Sequence, residues 1–225
     1  MFKIFVIVPV WQGEKRNLEQ TLKSLAKLPY KTIIVDDGST DATFEIAKRQ
    51  SGLIVLRHII NRGQGAALAT GTKKALALNA DIIVHFDSDG QFLAEEIESV
   101  VEPLLRDPEL DIVLGSRYLG QKKNQVPWLK KYLLQKPALL FQFLTTGLRL
   151  TDVHNGFRAL RARAAEQIEI KQDRMAHASE IVSEIKRNHL RYTEVPVTVV
   201  YNEFGQGLGG GIKILMSLFI RKIIK

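Results

Sequence analysis

The chain has 225 residues, enough for one large domain with a substantial core or for two small ones at most. Hydrophobic residues make up 45% and charged residues 25%, an ordinary globular balance, and the absence of cysteine excludes disulfide frameworks and thiolate chemistry. The net charge of +8 suits phosphorylated substrates, anionic lipid or nucleic acid, although solubility alone also accounts for it.

Short runs of apolar and β-branched residues predict the strands. In chain order they are Lys3–Val8, Thr32–Val35, Leu53–Arg57, Ile82–Phe86, Ile112–Leu114 and Tyr192–Val200. Apolar residues at helical spacing predict helices over Glu14–Leu28, Thr40–Gln50, Ala66–Leu78, Leu93–Leu105, Ala162–Ile170 and Ala178–Asn188. The first strands alternate with helices at βαβ spacing, so we expect an α/β fold with a mostly parallel sheet flanked by helices on both faces.

Several predicted boundaries depend on single residues. Pro9 is expected to end the first strand, and Pro196 places the late strand toward a sheet edge. Ser39 or Thr40 is the expected N-cap of the second helix. No signal-peptide pattern stands at residues 1–8, and no apolar stretch approaches the ~18–20 residues that span a bilayer.

Two predicted strands end in acidic residues. Asp36 and Asp37 follow the second strand, and Asp87 and Asp89 follow the fourth. Neighbouring parallel strands place both pairs at one rim, where open α/β sheets bind ligands. Asp87 and Asp89 suit Mg or Mn on a diphosphate, because these ions take one or two carboxylates together with substrate phosphates. An ordinary polar turn is the simpler explanation of each pair.

Further candidates follow the later elements. Arg117 follows the fifth strand and could bind a phosphate in bidentate fashion, and an ordinary surface arginine is the alternative. Arg158 is a second candidate for phosphate binding. The loop at 61–65 opens a helix but does not match the dinucleotide pattern, because Leu68 stands at the third glycine position. We expect that loop to be tight and well packed. The five histidines lack metal-ligand spacing, so we expect no zinc site.

Two segments are candidates for membrane contact. Residues 122–132 are basic and carry Trp128 and Tyr132. Residues 212–225 predict a helix with a narrow basic stripe and a wide apolar face, which is typical of interfacial helices. Packing on its own domain is the alternative for that helix.

Six short motifs follow one another at fitting spacing. They are Ile7-Val8-Pro9, Val35-Asp36-Asp37-Gly38-Ser39-Thr40-Asp41, Asn61-Arg62-Gly63-Gln64-Gly65, Asp87-Ser88-Asp89-Gly90-Gln91, Gly115-Ser116-Arg117-Tyr118 and Gly156-Phe157-Arg158. Together they resemble family 2 glycosyltransferases, and within them the dolichyl- and polyprenyl-phosphate mannosyl and glucosyl transferases. The resemblance covers roughly residues 4–200. It implies a GT-A nucleotide-diphospho-sugar transferase fold, a divalent metal (Mg or Mn) and inversion at the sugar carbon.

The resemblance also implies roles for individual residues. The implied nucleotide-sugar contacts are Pro9, Trp11, Asp37, Gly63 and Asp87. The implied metal ligands are Asp87, Asp89 and Gln91. The implied catalytic residues are Asp89, Asp152 and Arg117, and the implied ligands of the acceptor phosphate are Arg117 and Arg158. Departures from the family pattern at 11–14 and 201–208 leave base specificity and late phosphate contacts open.

The implied activity is inverting sugar transfer from a nucleotide-diphosphate sugar to a polyprenyl phosphate. It implies a cytoplasmic protein that is peripheral on the inner face of the membrane and acts alone or with a separate integral membrane protein. We expect one GT-A domain over residues 1–211, with a nucleotide-sugar half near 1–118 and an acceptor half near 119–211, followed by the helix at 212–225.

Two alternatives remain at this stage, and a third is disfavoured. In the first alternative, the acceptor is a hydroxyl group in cell-surface polysaccharide synthesis and Asp152 is the general base. In the second, the protein binds a nucleotide sugar or a membrane partner without turnover. A nucleotidyltransferase requires a glycine-rich G-x-G-x-R loop after the first strand, which residues 9–13 do not provide. We expect no nucleic-acid partner, because such a partner leaves the strand-end acids unexplained.

Overall fold

The structure is a computed structural model that describes residues 2–13, 18–119, 143, 147–173 and 177–200. Its strands are β1 (Ile4–Val10), β2 (Lys31–Asp36), β3 (Leu53–Arg57), β4 (Ile82–His85), β5 (Ile112–Ser116), β6 (Arg158–Arg161) and β7 (Tyr192–Pro196). Its helices are α1 (Leu18–Leu25), α2 (Thr43–Lys48), α3 (Gln64–Ala77), α4 (Ile97–Arg106), α5 (Ala162–Gln167) and α6 (His177–Arg187), with a 3-10 turn at Ala94–Glu96 before α4. The predicted membrane-contact segments at 122–132 and 212–225 lie outside the described residues.

All the strands belong to one seven-stranded sheet of order β3-β2-β1-β4-β6-β5-β7. β6 runs antiparallel to β4 and β5, and every other neighbouring pair is parallel. The predicted mostly parallel α/β sheet is therefore confirmed, and β7 lies at an edge as Pro196 indicated. β6 was missed because its four residues begin and end with arginine, and such a short run does not stand out as a strand.

Helices cover both faces of the sheet. In β1, Val6 and Val8 point into one apolar cluster, which α1 and α4 close. Phe5 and Ile7 point into the other cluster, which α3, α5 and α6 close. Because successive strand residues face opposite sides, a sheet that is buried on both faces must be apolar at nearly every position. This explains the unbroken apolar run of β1.

Several predicted boundaries are wrong, among them the end of the late strand, which is at Pro196 rather than Val200. β1 continues through Pro9 to Val10, because the missing N–H of Pro9 faces the side where β4 has already ended at His85. α2 begins at Thr43 rather than Thr40. The N-cap is Ala42 and not Ser39 or Thr40, it has no side-chain cap, and the adjacent Asp41 accepts the Thr43 N–H at 3.1 Å. No helix among the described segments is long and apolar enough to cross a bilayer.

Candidate active site

The carboxyl ends of β2, β4 and β5 form one rim of the sheet, and most predicted site residues lie along it. Asp37 follows β2, Asp87 and Asp89 follow β4, and Arg117 follows β5. Arg158 is the first residue of β6 and pairs with His85, the last residue of β4, so the antiparallel strand starts at the same rim. Residues that are far apart in the sequence are thus brought to one edge of the sheet.

Asp37 is buried, and its carboxylate holds the loop before α3. Its Oδ2 accepts the Gly63 N–H at 2.6 Å, and its Oδ1 accepts the Arg62 N–H at 3.0 Å and lies 2.7 Å from His58 Nδ1. Gly63 has a φ of 108°, which favours glycine and explains the residue at this turn. Asp37 therefore orders the protein's own backbone here, and its contact with a nucleobase stays a prediction.

Trp11 lies beside the turn that follows β2. The Gln12 N–H donates to Ser39 Oγ at 2.9 Å, and this bond ties the loop after β1 to the loop after β2. Trp11 is 44% exposed, whereas Pro9 is buried within β1. The indole is therefore accessible and the proline is not, and the nucleobase contacts of both residues stay predictions.

Asp87 is partly buried and carries a strongly shifted pKa. Burial, and then the charge of Asp89, raise the pKa of Asp87 to about 7, against the smaller opposing effects of Arg158 and of the Gln64 hydrogen bond. Gln64 Nε2 donates to Asp87 Oδ1 at 2.6 Å. On the other side, a Cβ atom at Gly156 would lie 2.7 Å from Asp87 Oδ2, so this carboxylate fits only against a glycine. The raised pKa therefore reflects first the burial of Asp87 and then the repulsion from Asp89.

Asp89 and Gln91 form the turn that completes this end of the rim. The Gln91 N–H donates to Asp89 Oδ1 at 3.0 Å, and the Gln91 carbonyl accepts the Val200 N–H at 2.9 Å. Phe92 and Val199 form an isolated antiparallel bridge next to them. The segment after β7 therefore anchors the turn that carries two of the predicted metal ligands.

Arg117 is held by Asp152 in a bidentate ion pair. Arg117 Nε donates to Asp152 Oδ2 at 2.7 Å and Nη2 donates to Oδ1 at 2.8 Å, and the Arg117 backbone N–H also reaches Oδ2 at 3.1 Å. The Asp152 side chain is 2% exposed and that of Arg117 is 22% exposed. Asp152 is thus engaged with Arg117, and this geometry argues against the open general base that we expected for a hydroxyl acceptor.

Glu194 on β7 holds the turn that carries Asp152. Its carboxylate accepts the Thr151 N–H at 2.9 Å, the Thr151 hydroxyl at 3.0 Å and the Asp152 N–H at 3.2 Å. Burial is the main cause that raises the pKa of Glu194. Ser116 Oγ lies 2.6 Å from Thr151 Oγ1, which ties the same turn to β5. The orientation of Arg117 is therefore fixed through Asp152, Thr151 and Glu194.

Arg158 lies beneath the rim rather than on its surface. It is 2% exposed, and its Nη2 donates to the Asn155 carbonyl at 2.7 Å. Its buried Nε and Nη1 atoms have no hydrogen-bond partner in the described part of the chain. Burial lowers the pKa of Arg158 to about 10, against the charges of Asp87 and Asp152. This burial does not fit the expected contact of Arg158 with an acceptor phosphate. The Arg158 guanidinium instead serves as a positive charge shared by Asp87 and Asp152.

The family model described as Glycosyl transferase family 2 matches residues 5–169. The chain belongs to that family. An uncharacterized protein of Methanocaldococcus jannaschii is 40% identical to this family 2 glycosyltransferase over 98% of this chain and 93% of its own. The UDP-N-acetylglucosamine–dolichyl-phosphate N-acetylglucosaminyltransferase of Methanococcus voltae is 31% identical, over 98% of this chain and 95% of its own.

A solved structure supports the GT-A fold of this glycosyltransferase. The chain is similar to glucosyl-3-phosphoglycerate synthase from Mycobacterium tuberculosis in complex with Mn²⁺ and UDP-glucose. The TM-score is 0.72 at 18% identity, over 97% of this chain and 77% of the other. The expected GT-A fold and membership of the family are confirmed, and the nucleotidyltransferase and non-catalytic alternatives are not supported.

The carboxylate turn of the glycosyltransferase has a donor set that suits Mg²⁺ or Mn²⁺. Asp87 and Asp89 supply hard oxygen ligands, and a cation bound between them would relieve the repulsion that helps to raise the pKa of Asp87. Within the described residues, no group of three or more His, Asp or Glu side chains is arranged to hold a metal. This is compatible with ions that take one or two carboxylates and complete their shell with water and phosphate oxygens.

Four site residues escaped the sequence-based assignment. Gln64 lies in the motif at 61–65, but its hydrogen bond to Asp87 was not predicted. His58 contacts Asp37, and Glu194 accepts the Asp152 N–H, so both act through residues that are distant in the sequence. Asn155 accepts the Phe157 N–H within a turn that no periodic pattern predicts.

Proposed function

We propose that this family 2 glycosyltransferase transfers a sugar, with inversion, from a nucleoside-diphosphate sugar to a polyprenyl phosphate at the face of a membrane. A divalent metal on Asp87, Asp89 and Gln91 would take part. The observation that carries the proposal is the arrangement along one rim of a cation-attracting carboxylate pair and an arginine whose direction is fixed by Asp152. The names of the relatives support the same acceptor class, because the Methanococcus voltae protein is a dolichyl-phosphate transferase.

The donor end of the site would bind a nucleoside diphosphate. Trp11 would contact the base, and the loop at 61–63 would order the backbone beside it through Asp37. When bound, the metal supplies Lewis-acid and electrostatic stabilisation of the leaving diphosphate. Asp87 and Asp89 would hold that ion, and Gln64 would fix the orientation of Asp87.

The acceptor end would bind a phosphate with the guanidinium of Arg117. Asp152 aligns that guanidinium from behind, so its direction is set before the acceptor arrives. An oxygen of the lipid phosphate attacks the anomeric carbon, the bond from that carbon to the diphosphate oxygen breaks, and the nucleoside diphosphate leaves with the electron pair. Because the attacking oxygen is already anionic, no general base is needed. The engagement of Asp152 by Arg117 agrees with this, and it disfavours a hydroxyl acceptor.

A transfer assay tests the proposal. Purified protein is incubated with UDP- and GDP-linked sugars, with a short-chain polyprenyl phosphate or the matching polyprenol, and with Mn²⁺, Mg²⁺ or EDTA. We expect one donor to yield a glycosyl phospholipid, only with metal and only with the phosphate, and NMR of the product to show the anomeric configuration opposite to that of the donor. Transfer to the polyprenol but not to the phosphate, or transfer with retained configuration, would contradict the proposal.

A further inference from the structure

Gln64, the first residue of α3, links the glycine-containing loop to the carboxylate of Asp87. Its side-chain Nε2 donates to Asp87 Oδ1 at 2.6 Å, across a distance of 23 residues in the sequence. At that length the contact is a strong hydrogen bond to a charged acceptor. We expected the loop at 61–65 to be tight and well packed. The Gln64 side chain also connects this loop to Asp87, one of the proposed metal ligands.

The backbone on both sides of Gln64 is fixed. The Gly63 N–H donates to Asp37 at 2.6 Å, and the Gly65 N–H donates to the Asp173 carbonyl at 2.8 Å. A Cβ atom at Gly65 would lie 2.0 Å from the Gln172 carbonyl oxygen, so α3 starts in direct contact with the segment before α6. The amide of Gln64 therefore starts from a backbone that has little freedom to shift.

The surroundings of Asp87 fix the carboxylate from two directions. Gln64 occupies one lone pair of Oδ1, and Gly156 packs against Oδ2 so closely that a methyl group there would lie 2.7 Å from it. A carboxylate oxygen has two lone pairs, so Oδ1 can accept from Gln64 and still face a cation. The contact thus limits rotation of Asp87 without closing it to a metal ion.

We propose that Gln64 is a positioning residue that orients Asp87 and so sets the affinity of the site for a divalent cation. The inference rests on the metal site of the proposed function. An amide suits the role because it donates a hydrogen bond without adding a positive charge, and the negative charge of Asp87 and Asp89 stays available to the ion. Through Gly63 and Asp37, the same short loop joins the nucleotide end of the rim to the metal end.

The test measures Mn²⁺ alone, with no donor or acceptor, by the electron paramagnetic resonance signal of the free ion. Gln64→Leu has nearly the same size but cannot donate. Gln167→Leu is the control, because Gln167 is an exposed glutamine whose side chain donates to the Arg163 carbonyl on its own helix. We expect Gln64→Leu to bind Mn²⁺ about tenfold more weakly, the effect of one hydrogen bond to a charged group. We expect Gln167→Leu to match wild type, and the metal-free melting temperatures to lie close together.

Two results would overturn the inference in distinguishable ways. If wild type and Gln64→Leu bind Mn²⁺ equally, Gln64 does not position Asp87, and the proposed function stands. If wild type binds no Mn²⁺, the metal part of the proposed function fails together with the inference. Gln64→Asn is used if Gln64→Leu does not fold, because its amide is one methylene too short to reach Asp87, and the same loss is expected.

Discussion

The carboxylates at the two ends of the rim have different partners. Asp87 accepts a hydrogen bond from the Gln64 amide and is near the charge of the buried Arg158, and Asp89 accepts a hydrogen bond from the Gln91 backbone N–H. Asp152 meets a guanidinium directly, through two hydrogen bonds. A cation bound at the donor end would relieve the repulsion between Asp87 and Asp89, whereas at the acceptor end Asp152 is paired within the protein with the arginine that would face an anion. The two ends suit a metal-bound diphosphate and a phosphate acceptor respectively.

The largest effect should come from removing the donor-end charge at Asp89. We expect Asp89→Ala to lower kcat by about 1,000-fold or more, because a carboxylate in contact with the metal supports the charge of the leaving group. The metal-dependent rise in melting temperature with the donor should disappear as well. The nearby, exposed Glu95→Ala is the control. Wild-type activity of Asp89→Ala would contradict the claim that the donor end binds a metal-bound diphosphate.

A smaller effect should follow from breaking the balanced pair at the acceptor end. Asp152→Asn keeps the shape but removes the charge that aligns Arg117. We expect the KM for the polyprenyl phosphate to rise about 10-fold to 100-fold while the KM for the donor changes little, since coupling between contacting residues is of that size. Arg117→Ala and the double variant should resemble each other, because both lack the same aligned guanidinium. Additive losses in the double variant would mean that the two residues act separately.

The smallest effect concerns the stability of the metal-free protein. The pKa of Asp87 is raised from 3.8 to about 7, so the folded protein binds this proton more tightly than the unfolded chain does. The stability that this provides is present at low pH and is lost as the pH rises through about 7. We expect Asp87→Asn to be more stable than wild type at pH ~8 in EDTA by about 1–3 kcal/mol, and to show little difference near pH ~4.

Urea unfolding at the two pH values measures this difference, with Glu95→Gln as a matched control on an exposed carboxylate. A destabilised Asp87→Asn at the higher pH would show that the Asp87 carboxylate is already compensated within the fold. The contrast between the two ends of the rim would then be lost.

The sequence predicted the strand-end carboxylates well, because a buried strand followed by acidic residues is a local pattern. Asp87, Asp89 and Arg117 therefore reach the predicted rim. The partners of these residues were not predicted, because they depend on the register of β6 and on contacts between distant residues. Arg117 and Asp152 are 35 positions apart, and each alone looks like an exposed catalytic side chain.

Burial explains the remaining differences. Arg158 is a charged residue that we expected at the surface, yet it is buried at the start of β6, the antiparallel strand between β4 and β5. Asp37 looked free to meet a base, and its partners are the backbone N–H groups of a loop that only a glycine at position 63 allows. Both outcomes follow from tertiary packing, which neither composition nor periodicity encodes.

The most direct test of the charge contrast is the titration of the Asp87 carboxyl carbon by ¹³C NMR, without metal and with saturating Mg²⁺, and with Asp87→Asn to assign the signal. We predict that Asp87 titrates with a pKa of about 7 in EDTA and that Mg²⁺ moves the titration to much lower pH. A metal-free pKa near the ordinary value of 3.8, unaffected by Mg²⁺, would contradict a cation-attracting donor end.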